Sequence, residues 1–202
     1  MRPTTAASAP PTGITTIRRP LRADAQRNYD RLVSAAHSVL SERGSEASME
    51  EIAKRADVGV GTLYRHFPRR IDLVEAVYRE GVESLVTLAT SVAADATPWD
   101  ALVEWLDGFV RYAQSKRVFL TELHEAFEKN PELALDSRER IRIAAGLVLE
   151  RAQQTGVARD DIDAADLMQL VGGMCMARNA SMERNERLLT LVLDGIRTTA
   201  HD

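Results

Sequence analysis

The sequence predicts an all-α fold in which an N-terminal three-helix helix-turn-helix domain precedes a larger C-terminal helical bundle. Apolar residues recur at spacings of three and four along most of the chain, and no segment shows convincing period-2 alternation. Residues 47–77, ASMEEIAKRADVGVGTLYRHFPRRIDLVEAV, place two short helical segments on either side of a tight turn. A chain of 202 residues that is 45% hydrophobic and 28% charged supplies a sizeable core for one large domain or two small ones.

Residues 1–22 are rich in Thr, Ala, Ser and Pro, with Pro3, Pro10, Pro11 and Pro20. They are expected to form a disordered arm with a basic end, Ile17-Arg18-Arg19-Pro20-Leu21-Arg22. The helix-turn-helix domain is assigned to residues 23–70, and its first helix carries Leu32, Val33, Ala36, Val39 and Leu40 before ending at Gly44. Ser48 with Glu51 three residues later reads as a capping box that starts the second helix at Met49, on which Ile52, Ala53 and Ala56 form a small apolar face. Asp57, Val58 and Gly59 break the pattern, so the third helix starts near Val60 with Leu63 and Phe67 aimed at the core.

Residues 71–202 form the second domain. Ile71, Val74, Tyr78, Val82, Leu85 and Leu88 carry a fourth helix to about residue 94, a rod of roughly 36 Å at about 1.5 Å per residue. Pro98 opens a helix bearing Leu102, Trp105, Leu106, Phe109, Val110 and Ala113, and residues 118–127 form another. Asn130-Pro131 punctuates, a further helix spans about 137–155, and Gly156 ends it. The last two helices, about 163–180 and 185–199, contain LMQLVGGMCM and LLTLVLDGI and are apolar on more than one face. Either one subunit wraps both fully, or they bury a second surface against another copy as a four-helix interface, which Gly172 and Gly173 would let close up. The second is the natural explanation.

The helix-turn-helix carries chemistry suited to nucleic acid. With Leu63 and Phe67 in the core, Thr62, Tyr64, Arg65 and His66 offer hydrogen-bonding groups to phosphates or base edges, beside Val60. Gly61 lacks a side chain, so that helix end can come close to DNA. The net charge of −4 divides unevenly: residues 1–79 hold 13 Lys plus Arg against 9 acids, and the remainder 13 against 21. Attraction for phosphate is thereby concentrated at one end. Arg18, Arg19 and Arg22 either enter the minor groove, as arms ahead of such motifs do, or are a solvated tail.

GVGTLYRHFPRRIDLVEAV, preceded by MEEIAKRADV, resembles the DNA-binding domain of the TetR family of bacterial repressors, over roughly residues 27–80. The resemblance implies that Thr62 and Tyr64 contact phosphates, that Gly61 and His66 lie near base edges, and that Ser48 bonds phosphate. It implies a phosphate contact at Arg70, where the family usually has Lys; a planar fork then replaces a point charge. At Gly59 many members place a DNA-touching Ser that this chain lacks. The function implied is a sequence-specific transcriptional regulator, a repressor released from a pseudo-palindromic double-stranded operator by a small-molecule effector. The resemblance also implies a homodimer through the last two helices. The alternative is a helix-turn-helix regulator controlled by a partner protein with no small-molecule ligand. GVARDDIDAADLMQLVGG is similar to many actinobacterial TetR-type regulators and names no ligand.

Candidate pocket residues are Tyr78, Trp105, Phe109, Tyr112, Phe119, Phe127, Met168, Met174 and Cys175, each of which is otherwise ordinary core. His124 and Glu128, four apart, read as an exposed helical pair. No metal-ligand cluster, cofactor motif or hydrolase motif is present, and Cys175 lies in an apolar helix with no base near it in sequence, so no enzyme is expected. One cysteine, no apolar leader and no run long enough to span a bilayer lead to the expectation of a cytoplasmic protein with no membrane partner.

Overall fold

A computed structural model describes residues 20–198, with side-chain surroundings from residue 23 onward. The described residues form nine α-helices: α1 (Pro20–Arg43), α2 (Met49–Arg55), α3 (Val60–His66), α4 (Arg70–Asp95), α5 (Pro98–Arg117), α6 (Leu120–Lys129), α7 (Pro131–Gln154), α8 (Ala164–Met176) and α9 (Met182–Ile196). Helix α1 therefore starts inside the stretch assigned to the arm; Arg18 and Arg19 lie outside the described residues.

The first three helices close around Leu32, Val39, Leu40, Ile52, Ala53 and Leu63, all fully or almost fully buried. Ser48 caps α2 as expected, its Oγ accepting from Glu51 N at 3.1 Å. The reciprocal half of the box is missing, because the Glu51 carboxylate turns instead to Arg43 and Arg55. Gly59 caps α3 with its backbone alone, and Asp57 carries the turn in a left-handed conformation, φ 51°.

Helix α4 is the spine, 26 residues long and so about 39 Å. It packs against α1, α5, α6 and α7. Trp105, fully buried on α5, donates its indole N–H to the Leu85 carbonyl at 3.0 Å, which fixes α5 against α4. Three boundaries differ from expectation for identifiable reasons. Helix α7 begins at Pro131, not near 137, because proline at the first helical position gives up no hydrogen bond. Helix α8 ends at Met176 and α9 starts at Met182, where Ser181 Oγ accepts from Arg184 N at 3.2 Å. The Arg117 guanidinium donates to the Cys175 and Ala177 carbonyls at 3.0 and 3.2 Å, satisfying the end of α8 from α5.

Helices α8 and α9 bury Leu167, Val171, Cys175, Leu189 and Ile196 inside the subunit. They also leave Leu170 55%, Met176 44%, Met182 41% and Leu191 67% exposed. A Cβ at Gly172, Gly173 or Gly195 would meet nothing within 4 Å.

Candidate functional site

Six of the proposed DNA-facing residues gather on the outer surface of the helix-turn-helix. Val60, Gly61, Tyr64 and Arg65 are exposed on α3, Thr62 is half-buried beside them, and Ser48 is exposed at the start of α2. The Gly61 surface is open, with nothing within 4 Å of where a Cβ would stand. The Tyr64 hydroxyl reaches across to Glu50 of α2 at 3.4 Å, so the two helices present a continuous face. Arg65 is held only by its own helix, Nε donating to the Gly61 carbonyl at 3.2 Å, and keeps its guanidinium available. Lys54, exposed at the end of α2, has no ion-pair partner among the described residues, and sequence reasoning passed over it.

Two candidates stand elsewhere. His66 is half-buried, its ring 6.2 Å from that of Tyr29 on α1, within an aromatic group that includes Phe67 at 5.2 Å from Tyr29. Arg70 turns away from the outer face. Its guanidinium donates to the Ala47 carbonyl and to the Gly44 carbonyl at 3.3 Å, and pairs with Glu122 on α6 at 3.2 Å. Arg70 thus joins the α1–α2 turn to the second domain. The basic surplus is also partly spent within the domain, because Arg31, Arg43, Arg55 and Arg69 all face carboxylates.

A second feature lies between the domains. Helices α1, α4 and α5 enclose a cavity of about 570 Å³, open to solvent on one side, within the range of small-molecule sites. Of the nine aromatic and sulfur-bearing candidates, Tyr78, Tyr112 and Phe119 line it. Trp105 and Phe109 stack on one another in the core at 5.9 Å, and Phe127 packs edge-on against Tyr78 at 5.2 Å. Cys175 is fully buried, and Met168 and Met174 pack against the core from α8, so these three belong to the packing of α8. Burial pushes the Cys175 thiol up to about 11, which leaves it protonated and unreactive near neutral pH. His124 and Glu128 form the exposed pair expected, at 3.4 Å.

The sequence reading missed the α1 wall, formed by Tyr29, Val33, Ser34 and His37, and it missed Lys116. A signal for Lys116 was present: Phe109, Tyr112, Lys116 and Phe119 fall on one helical stripe, and a lysine in an apolar stripe marks a place where burial and charge conflict. Gly81 and Gly108 also line the cavity and let α4 and α5 approach; a Cβ on Gly81 would stand 2.9 Å from the Tyr112 ring, and one on Gly108 2.6 Å from Leu88. Among the described residues no cluster of metal-ligating side chains occurs and no helix is long and apolar enough to cross a membrane.

Comparison with known proteins bears on both halves. Residues 32–77 match the family described as bacterial regulatory proteins, tetR family, and residues 97–198 match the SbtR-like C-terminal domain of transcriptional regulators. The fold is similar to that of the TetR transcriptional regulator SCO0520 from Streptomyces coelicolor, with 37% identity and a TM-score of 0.77 over 85% of this chain and 99% of that one. A TetR regulatory protein from Mycobacterium vanbaalenii shares 32% identity and a TM-score of 0.71, covering 89% of this chain and all of that one. In sequence the chain is 26% identical over 155 residues to the transcriptional regulator UidR of Escherichia coli (strain K12), covering 75% of this chain and 79% of that one. A helix-turn-helix matched over residues 32–77, joined to helices matched over residues 97–198, places this chain in the TetR family of bacterial transcriptional regulators, DNA-binding proteins and not enzymes.

Proposed function

We propose that the protein is a homodimeric repressor that reads a pseudo-palindromic operator through α3 and is released from it by a small molecule seated between α1, α4 and α5. One observation carries the effector half of this reading. Tyr29 lines the cavity and at the same time packs on His66 and Phe67 at the end of the recognition helix. A ligand in the cavity touches the residue that positions α3. Its affinity therefore differs between the DNA-competent arrangement and any other, which is the differential interaction a switch requires. DNA then weakens ligand binding by the same factor as the ligand weakens DNA binding.

On the DNA side, one α3 per subunit enters successive major grooves, about 34–36 Å apart along the duplex. The exposed apolar residues on α8 and α9 support pairing of two copies. Arg18 and Arg19, outside the described residues, add minor-groove or phosphate contacts ahead of α1.

Anisotropy of the full-length protein titrated onto duplex from the DNA beside its own gene, against a scrambled duplex, tests the reading. A preference of about a thousandfold at physiological salt is expected. Equal weak binding to both, followed by failure of random-duplex selection to yield any preferred site, overturns it. Replacing Arg18 and Arg19 with Ala is expected to reduce the salt slope of the same titration by about two; an unchanged slope removes the arm from the interface.

A further inference from the structure

We infer that the cavity between α1, α4 and α5 selects a small amphipathic acid, its apolar body lying over Val77, Leu85, Leu88 and Phe119 and its anionic group held by the Lys116 ammonium and the Tyr112 hydroxyl. The inference rests on the effector site proposed above and adds the chemistry of its occupant.

Its basis is an imbalance of charge inside the cavity. Asp30 and Glu80 are exposed at the edge, in water that screens them, and Arg111 is paired with Asp107. Lys116 is the one ionic lining residue that is largely covered, and no carboxylate faces it among the described residues. Its ammonium instead rests over the Tyr112 ring, 5.4 Å from the centroid, a weak substitute for a counter-ion. Of the other groups that act on it, Arg138 carries a like charge, and Cys175 is a protonated thiol. Burial, with Arg138 adding to it, holds the Lys116 amine below its ordinary range, and an anion beside it would relieve both effects.

Tyr112 supplies the second half. Its hydroxyl is buried with no partner that meets hydrogen-bond distance and angle; the neighbouring Tyr78 hydroxyl, the one group that reaches toward it, joins burial in pushing its pKa up. A buried donor left without a well-placed acceptor is costly and invites one. Tyr112 and Lys116 stand four residues apart on the same face of α5, so the two oxygens of one carboxylate can accept from both. A cationic ligand finds the reverse: its charge would meet Lys116 inside and only solvated carboxylates at the edge.

The test is calorimetric titration of the full-length protein with two matched sets of probes below their aggregation limits: decanoate, decan-1-ol and decylamine, and 1-naphthoate, 1-naphthylmethanol and 1-naphthylmethylamine. At least one acid is expected to bind about tenfold or more tightly than both of its matched partners, the range of a charge-assisted hydrogen bond. Lys116→Met is expected to erase that preference while leaving the alcohol's affinity within about twofold; Tyr112→Phe, which preserves the ring and the packing, is expected to reduce acid binding several-fold. The inference is overturned if the alcohol or amine binds as well as the acid, if neither acid binds up to about 1 mM, or if a folded Lys116→Met or Tyr112→Phe protein keeps the full preference. Operator titration without any probe tests the regulator reading separately. A neutral or cationic compound that enters the cavity and releases DNA would leave that reading standing and remove the acid.

Discussion

Arg70 and Arg65 look alike in the sequence, both basic and both beside the recognition helix, yet the structure separates their work. Arg65 is exposed and bonded only to its own helix, whereas Arg70 satisfies two backbone carbonyls and the Glu122 carboxylate across a domain boundary. Arg65→Ala is therefore expected to weaken binding about uniformly across duplex sequences and to lower the salt slope by about one, with an unchanged melting temperature. Arg70→Ala should do the opposite, costing about 2 kcal/mol of stability by orphaning a half-buried carboxylate and two carbonyls, and leaving the slope intact. A slope that falls for Arg70→Ala would return that residue to the phosphate. The distinction was not legible beforehand, because the partner on α6 lies 52 residues away in sequence. Ser48, Leu63 and Phe67 were legible, since capping and helical spacing are local and their outcome is visible within a few residues.

At the scale of elements, the helices were readable wherever the apolar period was long, and misread where a start signal competed with a stop signal. Pro131 was read as punctuation although it opens α7, and Ser181 was passed over although it caps α9. The start of α4 is defined by a different device. The Arg69 guanidinium holds the Asp72 carboxyl below the usual carboxylate range, with Asp72 also accepting from the Arg69 backbone amide at 2.9 Å. A carboxylate with a depressed folded pKa contributes stability above its unfolded value, about 4, and loses it as pH falls through the lower folded value. Asp72→Asn is accordingly expected to flatten the acid limb of stability against pH, measured by urea unfolding between about pH 5 and pH 2; a limb of unchanged slope would show the pairing to be idle. The α4–α5 contact makes a further claim. Gly81 faces the Tyr112 ring so closely that Gly81→Ala forces the ring to move. Its cost, about 1–3 kcal/mol of overpacking, exceeds the roughly 1 kcal/mol gained in helix propensity. In a Tyr112→Leu background the same change should become stabilising, and a double-mutant cycle showing no coupling would mean that the ring relaxes freely.

The whole molecule divides into a basic reading head and an acidic helical body, and among the described residues most of the exposed large apolar side chains lie on the second. The C-terminal half resisted sequence reading because three demands fall on the same apolar letters: a core, a cavity and, in the proposed dimer, an interface. Leu167 and Leu170 are indistinguishable by residue type, yet one is fully buried within the subunit and the other is 55% exposed. Leu191, at 67% exposure, and the open surfaces above Gly172, Gly173 and Gly195 lie on the same two helices. If these face a second copy, charges placed there are desolvated without partners, at several kcal/mol across both subunits. Leu170→Glu with Leu191→Glu is thus expected to yield a folded monomer of 22.4 kDa by sedimentation at micromolar concentration. The monomer should lose at least about a hundredfold in affinity for a full operator, because the second half-site no longer benefits from the high effective concentration that dimerisation gives. Affinity for an isolated half-site should stay within about twofold of the parent's. A variant that remains dimeric with both charges in place would move the interface off α8 and α9, and the next surface to test is the exposed apolar row on α7, Leu135, Ile143 and Leu147.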